Sequence, residues 1–296
     1  MFLAKVFRTL ELPILTARFQ ETGLTFVDIG GRRSVVRELR MLAPFAHYVT
    51  CEPDTDEAAH LATDNRDGWK RFTVVPSAIA PVSGTASLYQ TRKPGMSSLL
   101  VPDSMVVRQF ARAGRFEVVG CTQVPTIPLD DAAVRYGFTD ACFLKLDTQG
   151  TELDILRSGE TLLSSVLGVE VEASFRAFYR GQPLFADVDA FLREHGFELF
   201  LLNRTNIRHM TARPDLVSRR VTVYADALYF RVDPPDAVQR IRLLGLLLAF
   251  AYFDLALTVA EGNEQAEVER IALFASEQVT EPGRANKAFR DEDLDL

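Results

Sequence analysis

The 296-residue chain has few of the features that mark disulfide-rich, zinc-binding or nucleic-acid-binding proteins. Its three cysteines, Cys51, Cys121 and Cys142, are far apart and form no CxxC or Cys/His spacing. They therefore indicate buried thiols in a reducing compartment rather than disulfides or zinc ligands. The net charge is −7 and no run of lysine and arginine occurs, which argues against nucleic acid as a partner. We expect a cytoplasmic protein.

The sequence also lacks a clean apolar run of the length that a membrane span needs. A span takes about 20 apolar residues. The longest candidate, residues 243–257, contains Asp254, whose charge would be costly in lipid. The N-terminus has charges among its apolar residues and no small-residue cleavage site, unlike a signal peptide. We expect no transmembrane span.

Apolar runs bounded by turn residues alternate with helical patterns along most of the chain. This order is typical of a sheet with helices on both faces, and 47% hydrophobic residues suffice for its core. We predict an α/β fold with a Rossmann-like, doubly wound, seven-stranded sheet. The predicted strands are 25–29, 48–52, 72–76, 142–147, 168–172, 197–202 and 224–231, and the predicted helices are 34–43, 55–65, 130–136, 152–165 and 187–195.

Four regions follow from these patterns. An N-terminal amphipathic helix (1–23) precedes the Rossmann-like domain (24–232). A C-terminal helical hairpin (233–280) contains the long apolar run, and an acidic tail (281–296) is expected to be disordered. The apolar hairpin must be covered by the main domain or by a second subunit, and we favour a homodimer.

The strand predicted over 142–147 contains two charges, although a central parallel strand is usually almost entirely apolar. Lys145 and Asp147 are two residues apart and point to one side, with Asp147 at the carboxyl end, where open α/β sheets bind ligands. The alternative is a strand that ends early in a turn. Glu170 and Glu172 on the next strand are also two residues apart and also point to one side. We predict a Lys145–Glu170 pair inside the sheet, with the other two acids nearer its mouth.

The first predicted strand ends in a glycine turn at Gly30 and Gly31. Glycine lets the backbone approach a ligand closely, although strand-to-helix turns also use glycine without one. Glu52 ends the second strand, 24 residues after Asp28. Rossmann-like folds place an acid on ribose hydroxyls at about 20 residues. The alternative for Glu52 is an exposed acid at a strand end.

Taken in order, DIGG at 28–31, EP at 52–53 and FLKLDTQGTE at 143–152 resemble the FkbM-type S-adenosylmethionine-dependent methyltransferases, over roughly residues 24–231. The resemblance implies a class I methyltransferase fold with S-adenosylmethionine as cofactor. It implies that Ser77 and Ala78 lie near adenine and Asp147 near the methionine end. The full set of cofactor-binding residues that it implies is Asp28, Gly30, Gly31, Glu52, Ser77, Ala78 and Asp147.

Two departures from the family pattern stand out. The pattern continues the first turn as Ala-Asn-x-Gly, whereas this chain has Arg32 and Arg33 and then Ser34 after the glycines. The usual acid before the Gly-x-Glu step is Gln149 here, which removes a possible base or metal ligand. A catalytically inactive methyltransferase-like scaffold is therefore an alternative. An NAD-linked dehydrogenase is another alternative, although its dinucleotide-binding motif requires a third glycine where this chain has Ser34.

The reaction that the resemblance implies is O-methylation of a sugar hydroxyl in a glycan or a glycosylated metabolite. Such a transfer needs positioning and a proton acceptor for the hydroxyl. The candidate bases are Asp147, Glu172 and, in a polar loop, His209. The two acids could hold a divalent metal, but without a further clear ligand this is not favoured. The candidate substrate-binding residues are Ser97, Ser98, Tyr179 and Arg180.

Overall fold

The computed structural model describes residues 6–30, 36–63, 68–210 and 219–277. The strands are β1 (Leu24–Ile29), β2 (Ala46–Cys51), β3 (Arg71–Val75), β4 (Ala78–Ile79), β5 (Gly84–Thr91), β6 (Val118–Ile127), β7 (Phe143–Leu146), β8 (Gly168–Ser174), β9 (Glu198–Ile207) and β10 (Val221–Phe230). The helices are α1 (Val6–Thr9), α2 (Pro13–Thr22), α3 (Thr55–Ala62), α4 (Ser104–Val107), α5 (Leu129–Tyr136), α6 (Glu152–Arg157), α7 (Glu160–Leu163), α8 (Phe185–Glu194), α9 (Ala237–Ala249), α10 (Phe253–Val259) and α11 (Glu264–Glu277). Short 3-10 helices span Glu38–Phe45, Pro94–Met96 and Ala113–Phe116.

The main sheet has seven strands in the order β3-β2-β1-β7-β8-β10-β9. Its pairs are parallel except those of β10, which runs antiparallel to β8 and β9. The predicted α/β, Rossmann-like, seven-stranded fold is therefore confirmed. Each of the seven predicted strands is present, and β9 continues five residues beyond its predicted end, to Ile207.

Two predicted helices differ from the structure. In place of the helix predicted over 34–43, the structure has a 3-10 helix from Glu38 to Phe45. It contains Pro44, which has no amide hydrogen to donate and whose ring disfavours a regular α-helix. The helix predicted over 152–165 is divided at Gly159, where a side chain would collide with Leu129. A new helix then begins because the Asp130 carboxylate accepts hydrogen bonds from the first free amides of α7.

A second, three-stranded sheet, β4-β6-β5, lies between β3 and β7 in the chain. The sequence indicates β5 but gives little sign of β6, because half of the residues of β6 are exposed and it contains Gly120 and Pro125. This sheet and the segment from Arg92 to Phe116 form an insertion beside the carboxyl edge of the main sheet.

The main sheet buries both of its faces. Alternate residues such as Phe26 and Val27 point to opposite sides. Phe26 belongs to a core that is closed by α2, α9 and the 3-10 helix before β2, and Val27 belongs to a core that is closed by α5 to α8. Lys145 of β7 and Glu170 of β8 lie on the same side of the sheet as Phe26, but nearer the carboxyl edge. At that level β1 has the charged Asp28 in place of an apolar residue.

The predicted C-terminal hairpin consists of three helices rather than two. Leucines 243, 244, 246, 247 and 248 of α9 are fully buried against the protein's own core. The Arg242 guanidinium donates to the carbonyls of Thr22, Gly23 and Asp140, which fixes α9 to the start of the sheet. The chain itself therefore covers the apolar run, so this face gives no support to the homodimer, which stays a prediction. Residues 281–296, predicted as an acidic tail, lie outside the described residues.

The N-terminal helical region is also joined to the C-terminal one. Glu267 of α11 accepts hydrogen bonds from the backbone amides of Ile14 and Leu15 at 3.0 and 2.8 Å. It thus caps the first turn of α2, whose amides have no partner within the helix. Nowhere in the described part of the chain does a helix combine the length and the apolar character that a membrane span requires.

Candidate functional site

The carboxyl ends of the central parallel strands are aligned. Ile29 pairs in register with Cys51 of β2 and with Leu146 of β7, and Leu146 pairs in turn with Val171 of β8. The residues that follow this row are therefore neighbours at one edge of the sheet. They are Gly30, Glu52, Asp147 and Glu172.

Below this edge, one row of the sheet carries alternating charges. Asp28, Lys145 and Glu170 are register partners and point to the same side. The predicted neighbourhood of Lys145 and Glu170 is thus present, but the ion pair that the structure describes joins Lys145 Nζ to Asp147 Oδ2 at 3.8 Å. Burial alone would lower the pKa of Lys145, but the carboxylates of Asp28, Asp147, Glu170 and Asp226 raise it. Lys145 is therefore a fixed cation that balances part of an acidic face.

Gln149 joins the two predicted catalytic acids. Its Nε2 donates to Asp147 Oδ1 at 2.9 Å and to Glu172 Oε1 at 2.6 Å. Burial raises the pKa of Glu172 well above its usual range, and Asp147, Asp226 and Glu152 raise it further, whereas the bond from Gln149 lowers it. The amide thus keeps two carboxylates together at the mouth of the sheet.

Gln149 is held through its backbone from the inserted segment and through its side chain from the loop after β8. Ser98 Oγ donates to the backbone carbonyl of Gln149 at 2.8 Å. Tyr179 Oη donates to the carbonyl of Met96 at 2.7 Å and lies 3.2 Å from Gln149 Oε1. Burial and the nearby carboxylates of Glu172 and Glu152 raise the pKa of Tyr179, so it remains a phenol that donates. The two predicted substrate residues Ser98 and Tyr179 are buried here, and both bind Gln149.

The other two predicted substrate residues lie around this network. Ser97 Oγ accepts a hydrogen bond from the Thr91 amide and helps to shape the loop. Arg180 is exposed, and its backbone amide donates to the Val101 carbonyl. Substrate binding by Ser97, Ser98, Tyr179 and Arg180 stays a prediction.

A buried carboxylate supports the turn that carries Asp147 and Gln149. Glu152 accepts hydrogen bonds from the backbone amides of Thr148 and Gly150 at 2.9 Å each. Burial raises the pKa of Glu152 to about 7, against the opposing effect of these hydrogen bonds. The turn also requires a positive φ of 60° at Gln149, which is uncommon for a residue with a side chain. The turn is therefore held in one conformation.

On the cofactor side, Asp28 is buried within β1, and its Oδ2 accepts a hydrogen bond from Tyr48 Oη at 2.7 Å. Gly30 has a φ of 92° and lies directly against the backbone of Asp147. Gly31, like Arg32, Arg33 and Ser34, lies outside the described residues.

The remaining predicted cofactor residues follow β2 and β3. Glu52 is partly buried, and its Oε1 accepts a hydrogen bond from the Asp54 amide at 2.9 Å. Ser77 and Ala78 are partly buried directly after β3, and Ala78 begins β4. The register between Cys51 and Val75 makes these segments neighbours. Gly30, Glu52, Ser77 and Ala78 therefore follow one another along the same edge of the sheet, and their role in cofactor binding stays a prediction.

His209 lies apart from the acids. It is exposed, its Nδ1 is 2.9 Å from the Met210 carbonyl and its ring is 5.6 Å from that of Phe110. Its role as a base stays a prediction, with no contact to Asp147 or Glu172 among those described. Within the described residues, no group of three or more His, Cys, Asp and Glu is placed to hold a metal ion.

Three site residues were not identified from the sequence as such. The sequence pattern shows Gln149 only as the loss of a charge, whereas in the structure it is the donor that bridges two acids. Asp226 of β10 pairs in register with Glu172, and a charge in an otherwise apolar strand was the available signal. Glu152 appeared in the motif, but only the fold shows that it caps the turn before it.

Comparison with known proteins identifies the family. The sequence profile described as "Methyltransferase FkbM domain" matches residues 28–199. Similar solved structures include the magnesium protoporphyrin IX methyltransferase of Synechocystis PCC 6803 with bound SAM, at 12% identity and a TM-score of 0.34, covering 73% of this chain and 74% of that one. Another is the precorrin-6y C5,15-methyltransferase of Geobacter metallireducens GS-15, at 10% identity and a TM-score of 0.35, covering 73% of this chain and 88% of that one. A search of curated proteins finds no match.

Proposed function

Because the chain belongs to the FkbM methyltransferase family, we propose that it moves a methyl group from S-adenosylmethionine to a sugar hydroxyl of a glycan or a glycosylated metabolite. The observation that carries this proposal is the pair of carboxylates, Asp147 and Glu172, that Gln149 holds at the carboxyl edge of the sheet. A hydroxyl is a weak acid, so its attack needs a proton acceptor at this place.

The residues at the edge fit the cofactor. Gly30, Glu52 and Ser77 follow three neighbouring strands that are aligned in register. The Glu52 carboxylate would accept hydrogen bonds from the ribose diol, and Ser77 with Ala78 would lie along adenine. When bound, S-adenosylmethionine supplies a methyl group on a sulfonium, which is electrophilic without help from a metal.

The proton acceptor that the geometry favours is Glu172. Its Oε1 accepts the hydrogen bond from Gln149, which leaves Oε2 for the acceptor hydroxyl. Its raised pKa increases its affinity for that proton. Glu172 Oε2 would take up the proton that the acceptor hydroxyl loses when its oxygen is methylated. Lys145 remains charged beside Asp147 and limits the repulsion between the acids.

The experiment that tests this proposal measures release of S-adenosylhomocysteine with three classes of acceptor: sugars and sugar derivatives, amines, and RNA. We expect turnover with a hydroxyl acceptor, with the methyl found on oxygen by NMR of the product. Glu172→Gln should lose that turnover while retaining cofactor affinity. Turnover with amines or RNA alone would contradict the proposed acceptor class. Cofactor binding without turnover on any class would favour the inactive scaffold.

A further inference from the structure

A cationic pocket opens in the inserted segment beside the carboxylates. It is an open cavity of about 350 Å³ between the end of β5 and the 3-10 helix Ala113–Phe116. Its lining residues are Arg92, Lys93, Ala111, Arg112, Gly114 and Arg115. Four of these six side chains are cationic and none is acidic, in a chain whose net charge is −7.

Most of this positive charge is not neutralised within the described residues. Arg92 forms an ion pair with Glu117 at 2.6 Å, on the exposed rim. No carboxylate in the described ranges forms an ion pair with Lys93, Arg112 or Arg115, which are all partly buried. Burial lowers the pKa of Lys93, and the like charges of Arg115 and Arg112 lower it further, whereas the charge of Glu172 raises it in part. Such crowding is unfavourable unless an anion occupies the pocket.

The pocket is joined to the candidate active site by short contacts. The Met96 amide donates to the Lys93 carbonyl at 2.8 Å, and the Met96 carbonyl accepts from Tyr179 Oη, which also contacts Gln149. On the other wall, Phe116 stacks on Phe178 with ring centroids 5.2 Å apart. Glu172 is also close enough to Lys93 to act on the pKa of its amine. The cations of the pocket therefore lie in the neighbourhood of an acceptor that is bound at Glu172.

We propose that this cationic pocket binds a phosphate group of the acceptor, which makes the acceptor a phosphorylated or nucleotide-activated sugar. The inference rests on the proposed function and names the substrate class more closely. Two guanidinium groups can each offer paired N–H donors to phosphate oxygens, and Lys93 adds a compact charge. An uncharged glycan could accept hydrogen bonds from these groups but would not neutralise their charge. Three cations around one small cavity suit one small anion better than the extended backbone of a nucleic acid.

Calorimetric titration of the protein saturated with S-adenosylhomocysteine tests this inference. The probes are glucose, glucose 1-phosphate, UDP-glucose and inorganic pyrophosphate. The variant is Arg112→Gln/Arg115→Gln, and the matched control is Arg108→Gln, an exposed arginine at the end of α4 that does not line the pocket. Retained affinity for S-adenosylhomocysteine shows that each variant is folded.

We expect at least one phosphorylated probe to bind more tightly than glucose. Its affinity should fall about tenfold or more in the double variant, because hydrogen bonds to charged groups are lost, and stay unchanged in the control. The glucose 1-phosphate and UDP-glucose arms distinguish a monoester from a diphosphate. Equal binding of glucose and the phosphates, equal binding by wild type and double variant, or no phosphate binding would overturn the inference.

The separate titration with S-adenosylhomocysteine distinguishes the two proposals. If the cofactor product binds but no phosphate does, the pocket assignment fails and the methyltransferase proposal stands. If phosphate binds through Arg112 and Arg115 while the cofactor product does not, the pocket assignment stands and methyl transfer fails.

Discussion

The backbone of Asp147 occupies the space in which a side chain on Gly30 would lie. A Cβ built on Gly30 would be 2.7 Å from the Asp147 carbonyl carbon and closer still to its oxygen. The same two segments are joined by a hydrogen bond of 2.9 Å from the Asp147 amide to the Ile29 carbonyl. The glycine that begins the proposed cofactor turn therefore also sets the position of the acid at the reaction site.

Gly30→Ala should accordingly affect both stability and the site. The new Cβ would meet the backbone of Asp147, which cannot move aside as a flexible side chain could. The φ of 92° at Gly30 adds strain for any residue with a side chain. We expect a loss of roughly 3 kcal/mol or more in the free energy of unfolding, measured by urea denaturation. Gly23→Ala is the control, because Gly23 has a φ of 62° but open space around it. A loss no larger than that of the control would contradict the close approach.

Gln149→Glu tests whether the amide is needed between the acids. The change restores the acid of the family pattern but replaces a donor by a third carboxylate beside Asp147 and Glu172. The new carboxyl should have a raised pKa, so its contribution to stability is present at low pH and lost as pH rises. We expect the variant to lose stability relative to wild type between pH 5 and 8, at up to about 1.4 kcal/mol per pH unit. Gln123→Glu, at an exposed position, should show no such slope.

Glu172→Gln should remove the proton acceptor. General-base groups contribute about 10²- to 10⁴-fold, so we expect a fall of that order in kcat/KM with little change in cofactor affinity. In the wild type, kcat/KM should increase with pH through a pKa above the usual carboxyl range, because Glu172 must lose its proton. The variant should lose this rising limb. A retained pH profile in Glu172→Gln would assign the proton transfer to another group.

The raised pKa of Glu170 predicts that the free energy of unfolding depends on pH, independently of catalysis. Burial raises its pKa to about 8, although Lys145 opposes the shift. The pKa of Glu170 is higher in the folded than in the unfolded protein. The contribution of Glu170 to the free energy of unfolding is therefore complete below about pH 4.5 and is lost as pH rises to about 8. Glu170→Gln should therefore gain stability relative to wild type across this interval, by less than about 1.4 kcal/mol per pH unit because water reaches part of the site.

The control for Glu170 is Glu160→Gln, at an exposed position in α7. Unfolding by urea at pH 5, 6.5 and 8 gives the comparison. Parallel pH profiles for Glu170→Gln and wild type would show that Glu170 is not held protonated in the folded protein.

The sequence was sufficient for the main sheet because its strands are short apolar runs, such as the one around Val27, which signal burial directly. The second sheet is harder to predict, since half of the residues of β6 are exposed and its partner β5 is distant in the chain. The break at Gly159 depends on Leu129, which packs there from another helix. Contacts of this kind are not encoded in any local pattern.

The site shows the same division. The position of Asp147, Glu172 and Glu52 at one edge of the sheet could be predicted, because charges at the ends of apolar strands are conspicuous and strand order places them together. Their roles stay predictions. The function of Gln149 could not be predicted, since it depends on a backbone conformation with positive φ and on Tyr179 from another loop. The cationic pocket likewise combines Lys93 with Arg112, which are separated in the chain and form no basic run.

The most direct test of the account is calorimetric titration with S-adenosylhomocysteine, with NAD as the control ligand. We expect wild type to bind S-adenosylhomocysteine in the micromolar range and not to bind NAD. Glu52→Gln, which keeps an oxygen for the Asp54 amide, should bind it more weakly, whereas Asp56→Asn, at an exposed site nearby, should bind as wild type does. Failure of wild type to bind S-adenosylhomocysteine, or binding of NAD instead, would contradict the assignment of a methyltransferase site.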